Sequence, residues 1–301
     1  MAFLMIFWDG VGLGKEDSHT NPFFAASLPN FRGLLDGALP SLRRSRIHSA
    51  VASVVPVNAT LGVPGLPQSG TGQTAIFTGV NAPRKIGKHF GPHPYSTLVP
   101  IVKEQNLFVR LRDRGKSFYF ANAYPQRYFD YISSPRGKIP VVAMSYLAAG
   151  GELNTLKELE NGEGLSADIT GEGLKSFNSA IRPMLPQEAG ERFYRLGRPR
   201  DLILFEYFLT DKAGHDQSMS RAVDALERID GFLGGILRLI DPRKDTILFV
   251  SDHGNIEDLT TRSHTRNPVP MIVFGEGRDF FCSRVRRLTD ITPAVTGFLA
   301  G

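Results

Sequence analysis

The sequence predicts an α/β fold, a mostly parallel sheet with helices on both faces. Three features point to it. Short apolar runs recur along the chain, helical patterns lie between them, and three of the runs end in aspartate. The first run, 2–8, is followed by others at 117–121, 202–209, 246–250 and 269–274. Most are too short for helices, and several are rich in Ile, Val and Phe, so they read as buried parallel strands. Between them, 221–240 places apolar residues at three- and four-residue steps, and Pro242 stops that helix before the next strand. Strands alternating with helices imply a sheet covered on both sides.

The stretch 123–196 differs. It holds no long apolar run and is punctuated by Gly150, Gly151, Gly162, Gly164, Gly171 and Gly173. It reads as a small insert or cap over a core made of 1–122 and 197–301; plain connecting structure explains it equally well. No internal repeat or low-complexity segment is visible.

Bulk properties narrow the class. With 42% hydrophobic and 22% charged residues the chain is globular rather than disordered. A single cysteine, Cys282, excludes an intrachain disulfide framework and a cysteine-based zinc cluster. The N-terminal run lacks a basic residue before it and ends in Asp-Gly, which suits a buried strand better than a signal peptide. No segment approaches the roughly 20 apolar residues of a membrane span. The expectation is a soluble, cytoplasmic protein. The net charge of +5 comes with basic clusters at 42–46, 195–200 and 284–287. They read as solvated surface, and no nucleic-acid partner is expected.

The chemistry lies where the acids fall. Asp9, Asp211 and Asp252 each follow an apolar run. Ligands of open α/β sheets bind beyond the carboxyl ends of the strands, so the three aspartates can converge. Alone, each would be an ordinary turn or helix cap. His215 follows Asp211 by four residues, one helical turn; His253 adjoins Asp252; and His264 precedes the last run. Gly254 is expected to allow a tight bend there. Mixed carboxylate and imidazole donors suit zinc or manganese rather than calcium or magnesium. Ser69 stands among glycines before a helical pattern. It suits a phosphate at a helix N-terminus, and equally a plain N-cap.

Together these residues resemble the alkaline phosphatase superfamily, and within it the branch of cofactor-independent phosphoglycerate mutase and phosphopentomutase. Ser251-Asp-His-Gly-Asn-Ile-Glu257 is close to that mutase's Ala-Asp-His-Gly-Asn-Ala-Glu, and Ser263-His-Thr-Arg-Asn-Pro-Val-Pro270 to its His-Thr-x-x-x-Val-Pro. Asp9-Gly10 and Asp211-x-x-x-His215 also match, as does the segment from Asn21-Pro22 to Phe31. The resemblance implies an alkaline-phosphatase-like sheet and two divalent ions, Mn2+ or Zn2+. One ion would be held by Asp9, Ser69, Asp252 and His253, the other by Asp211, His215 and His264. Ser69 takes the place of the attacking serine, with Thr78-Gly79 following at the sulfatase distance; Thr71 is the second choice.

The pattern departs from the mutase at Gln68 and Gln73, which replace its Asn and His, and the insert is shorter than the mutase's second domain. The implied function is a metal-dependent phosphoester hydrolase or phosphotransferase acting on a phosphorylated small molecule. Phosphomutase, phosphodiesterase and a degenerate ligand-binding protein are the alternatives. Substrate contacts are expected from Lys88 and His89, in a cationic glycine-containing loop, and from Arg127 beyond a strand end. A solvent-facing basic loop would explain the same residues. Nothing in the sequence bears on oligomeric state.

Overall fold

Phe3, Met5 and Phe7 pack into one hydrophobic cluster, while Leu4, Ile6 and Trp8 pack into another. Side chains alternate across a strand, so this segment is buried on both faces and its sequence reads as an unbroken apolar run. The computed structural model that shows this describes residues 1–178 and 181–301. Among them the strands are β1 (Phe3–Trp8), β2 (Ile47–His48), β3 (Ala52–Val57), β4 (Phe118–Phe120), β5 (Asn122–Ala123), β6 (Leu165–Ser166), β7 (Leu202–Tyr207), β8 (Thr246–Val250) and β9 (Val269–Gly275). The main sheet has the order β2-β3-β9-β8-β1-β7-β4, and β5 pairs with β6 apart from it.

β8, β1, β7 and β4 run parallel. β9 was expected to join them but lies antiparallel to β8, and β3 and β2 continue that antiparallel side. A parallel neighbour needs a crossover, usually helical, that carries the chain back along the sheet. Residues 251–268 contain no helix and stay at the end where β8 finishes, so the chain returns in the opposite sense.

Helices Pro186–Gly197 and Met219–Leu237 cover one face, with Phe193, Ile229 and Phe232 in its core. The other face carries helices Ser69–Thr78, Leu107–Arg112, Val141–Ala148 and Ile291–Phe298. Large aromatic side chains such as Phe7, Phe77, Phe205 and Phe232 are fully buried, each contributing on the order of 1.5–3 kcal/mol.

Within 123–196, helices Val141–Ala148 and Pro186–Gly197 pack into the two main cores, one on each face. Positions 179 and 180 of this stretch lie outside the described residues. Among the described residues no helix is long and apolar enough to cross a membrane.

Candidate metal centre

β8, β1 and β7 are neighbours in the sheet, and adjacent strands lie about 4.8 Å apart. Asp252, Asp9 and Asp211 leave from their carboxyl ends, so three acids distant in sequence reach one space. Asp9 directly follows β1, and Asp252 lies two residues beyond β8. Asp211 is in the first turn of helix Leu209–Asp216, and His215, one turn on, brings its Nε2 to 3.3 Å from Asp211 Oδ2. The stretch between β8 and β9 adds His253 and His264, whose rings stack with centroids 3.7 Å apart.

The hydrogen bonds of the imidazoles fix which nitrogen carries the proton. His215 Nδ1 lies 2.8 Å from the Arg262 carbonyl, and His264 Nδ1 lies 2.7 Å from the Pro67 carbonyl. A carbonyl only accepts, so each Nδ1 donates, and in the neutral imidazole each Nε2 keeps its lone pair. Those two Nε2 atoms face each other at 3.1 Å. Imidazoles that bind metals are oriented in this way.

Further polar atoms share the same space. Asp9 Oδ1, Asp252 Oδ2 and His253 Nδ1 are buried and make no hydrogen bond, although Asp9 Oδ1 and Asp252 Oδ2 lie 3.3 and 3.5 Å from His253 Nε2. Each such atom costs about 1–3 kcal/mol unless something else satisfies it. A cation would. Donor atoms of Asp9, Asp252 and His253 lie within 4.8 Å of one another, as do those of Asp211, His253 and His264. The donor set therefore fits divalent metal binding.

Electrostatics agree. Burial pulls the His253 proton off, but Asp252, Asp9 and Asp211 outweigh it and push the group up to about 10. Burial and the neighbouring Asp9 charge raise Asp252 well above the usual carboxylate range. His264 is lowered to about 4 by burial and by the charge on His253. The carboxylates and imidazoles of the site thus compete for protons in one buried place.

Ser69 is the first residue of a helix that is buried along its whole length. The N-cap is Gln68, and the Ser69 hydroxyl turns instead to His253, with Oγ 2.9 Å from Nε2. Thr71 is committed elsewhere: its hydroxyl donates to the Gln68 carbonyl and accepts from Phe90 N–H. Gly72 lets this helix approach the site, since a Cβ there would stand 2.9 Å from the Asp252 carbonyl oxygen. Gly254 serves the same end. Its φ is not positive, and what requires glycine is space: a Cβ would collide with Glu257 Oε1 at 2.2 Å. Glu257 ties the loop together, accepting from the backbone N–H of Gly12 and Asn255, from Asn267 and from the Thr265 hydroxyl.

A family model described as the metalloenzyme superfamily matches residues 195–300, which hold Asp211, His215, Asp252, His253 and His264. That part of the chain is thus similar to the metalloenzyme superfamily. The 2,3-bisphosphoglycerate-independent phosphoglycerate mutase of Desulforudis audaxviator is 30% identical to this chain over 122 residues, 38% of this chain and 24% of the mutase. The chain thus spans about a quarter of that curated relative's length. Among solved structures, a protein from Pyrococcus horikoshii matches with a TM-score of 0.59 at 15% identity, covering 99% of this chain and 96% of that one. The alkaline phosphatase of the Antarctic bacterium TAB5 matches with a TM-score of 0.58 at 12% identity, covering 99% and 98%. The chain therefore has an alkaline-phosphatase-like fold.

Its donor residues form the floor of a cavity of about 920 Å³, reached by Asp9, Ser69, Asp211 and His215. Arg127 lines this cavity; Lys88 and His89 do not. Lys88 lies over the rings of Phe90 and Tyr95, and His89 turns to the Val63 carbonyl. The loop after the serine helix instead turns His93 inward. Sequence reasoning passed over Glu206 and Lys212 in the lining, and noted Gln73 only as a departure from the mutase. Gln73 donates to Asp9 Oδ2 at 3.3 Å; it follows Ser69 by four residues, so helical spacing put it on the same face. Glu206 was visible as a lone charge inside an apolar strand.

Proposed function

We propose that this chain is a metal-dependent phosphoester hydrolase or phosphotransferase working through Ser69 and two divalent ions. The convergence of Ser69 Oγ with the two donor groups carries the reading, above all its 2.9 Å approach to His253 Nε2. Asp9, Asp252, His253 and Ser69 would hold one ion, and Asp211, His215 and His264 the other. The mixed oxygen and nitrogen donors favour zinc or manganese. Bound there, the ions would favour the serine alkoxide and neutralise the phosphoryl oxygens.

Ser69 Oγ attacks phosphorus, its proton leaves, and the bond to the leaving oxygen breaks on the opposite side. The leaving oxygen takes up a proton. Water or a second hydroxyl then attacks the phosphoserine, and Oγ leaves and regains its proton. Gln73 holds Asp9 in place from the serine helix. Arg127 and Lys212 bring positive charge to the cavity for the phosphate. Most of the acceleration comes from positioning and charge neutralisation.

One observation favours a mutase as second reading. Residues of 123–177 line the same cavity as Ser69, and a mutase must keep its phosphoserine from water.

The test is hydrolysis of p-nitrophenyl phosphate by protein loaded with zinc or manganese. Release of p-nitrophenol should depend on the ion and fall by roughly three orders of magnitude or more in Ser69→Ala. Asp252→Asn should lose the ion. A metal-loaded wild type that releases nothing but moves phosphate within phosphoglycerate would decide for the mutase. Activity unaffected by Ser69→Ala would sink the nucleophile assignment.

A further inference from the structure

We propose that the organic part of the substrate is a planar ring, seated on the aromatic lining of the cavity that Ser69 reaches. This deepens the phosphoester reading above and rests on it. Among the described residues the exposed large apolar side chains include three aromatic ones, Tyr131, Phe177 and Phe208, at 46%, 43% and 38% exposure. All three line the cavity over Ser69. Single exposed apolar residues are ordinary, but aromatic surface gathered in one concavity marks a binding site.

Further aromatic side chains line the same cavity: Tyr124 and Tyr128 stack on each other, centroids 4.1 Å apart and planes 17° apart. The Arg127 guanidinium sits 4.0 Å over the Phe177 ring, extending that surface. At about 920 Å³ the cavity has room for more than a phosphorylated three-carbon acid, since pockets for drug-sized ligands span roughly 300–1,000 Å³. A small polar substrate would leave the aromatic wall wet. A ring would cover it, while its phosphate reached Ser69. The ring could be a nucleobase or a simple aryl group, because both offer the same stacking face.

The experiment compares kcat/KM of metal-loaded protein for adenosine 5′-monophosphate, phenyl phosphate and ribose 5-phosphate, in wild type and in Phe177→Ala, Tyr131→Ala and the double variant. The adenosine and ribose esters leave as similar primary alcohols, so their ratio reads the base alone. The better of the two ring substrates should exceed ribose 5-phosphate by roughly tenfold or more, and the double variant should remove most of that ratio, mainly through KM. Preference for the adenosine ester assigns a nucleobase; preference for phenyl phosphate that the variants remove assigns an aryl group. A wild-type ratio near one for both rings, or ratios untouched by the variants, overturns the proposal.

If wild type turns over none of the three, the catalytic reading fails instead. The wall is then judged by calorimetric binding of adenosine 5′-monophosphate and phenyl phosphate to metal-loaded Ser69→Ala protein. Binding of either ring weakened roughly tenfold by adding Phe177→Ala supports it. Binding of neither, or binding indifferent to Phe177, overturns it.

Discussion

Glu206 ends β7 beside the cavity, and burial, then the Asp9 charge, holds its carboxyl proton up to about 8. In the unfolded chain the same group lets go near 4.5. Between those values the folded state binds the proton more tightly, so its stability falls as pH rises. Glu206→Gln removes that loss. In metal-free protein the variant should gain on wild type between pH 5 and 8, measured by urea denaturation at both. His253 follows a related logic toward metal. Its proton and the ion compete for the same carboxylates, so ion affinity should rise with pH and binding should release protons. Calorimetry in buffers of different ionisation enthalpy would count them; uptake of protons would contradict the donor set. At this scale the sequence was most legible where strand ends impose position. Asp9, Asp211 and Asp252 met because their strands are neighbours. Lys88 and His89 did not join them, because the course of a loop is decided by packing, here of Lys88 on Phe90 and Tyr95.

Two helices show how closely elements approach on the face away from Ser69. In helix Pro186–Gly197, a Cβ on Gly190 would stand 2.0 Å from the Phe232 carbonyl oxygen; in helix Met219–Leu237, one on Gly235 would stand 1.9 Å from that of Gln187. Backbone meets backbone there, and no side chain can rotate away. Gly235→Ala should cost about 3 kcal/mol, at the upper end of overpacking effects, read as a lower urea midpoint at unchanged slope. A change below half that would mean the helices slide apart easily. The apolar runs announced β1, β7 and β8 within two residues of their observed ends. β3 went unread because Pro56 lies inside it, and proline argues against an interior strand. The direction of β9 was hidden too. It depends on what 251–268 leaves out, a crossover helix, rather than on the pattern of the strand itself.

For the molecule as a whole, a buried site with donor atoms that make no hydrogen bond links folding to metal. An ion at a hundred times its dissociation constant adds about 2.7 kcal/mol to stability. Zinc or manganese should therefore raise the melting temperature by about 5 °C over chelator-treated protein, by differential scanning fluorimetry. Asp252→Asn should show little of that shift, and a wild type indifferent to chelator would contradict a folded-state ion site. The α/β architecture was readable from alternation. The contribution of 123–196 was not, because its helices Val141–Ala148 and Pro186–Gly197 bury their apolar residues in the two cores while intervening segments reach the cavity.

The two sides of that cavity have separate origins along the chain. The donors Asp9, Asp211, Asp252, His253 and His264 sit at or beyond the ends of β1, β7 and β8, whereas Tyr124, Tyr128, Tyr131 and Phe177 come from one continuous stretch. Heredity can act on them independently. Most of the ring-facing wall can be replaced in a single exchange of sequence, and a descendant can change its diet without relearning its reaction.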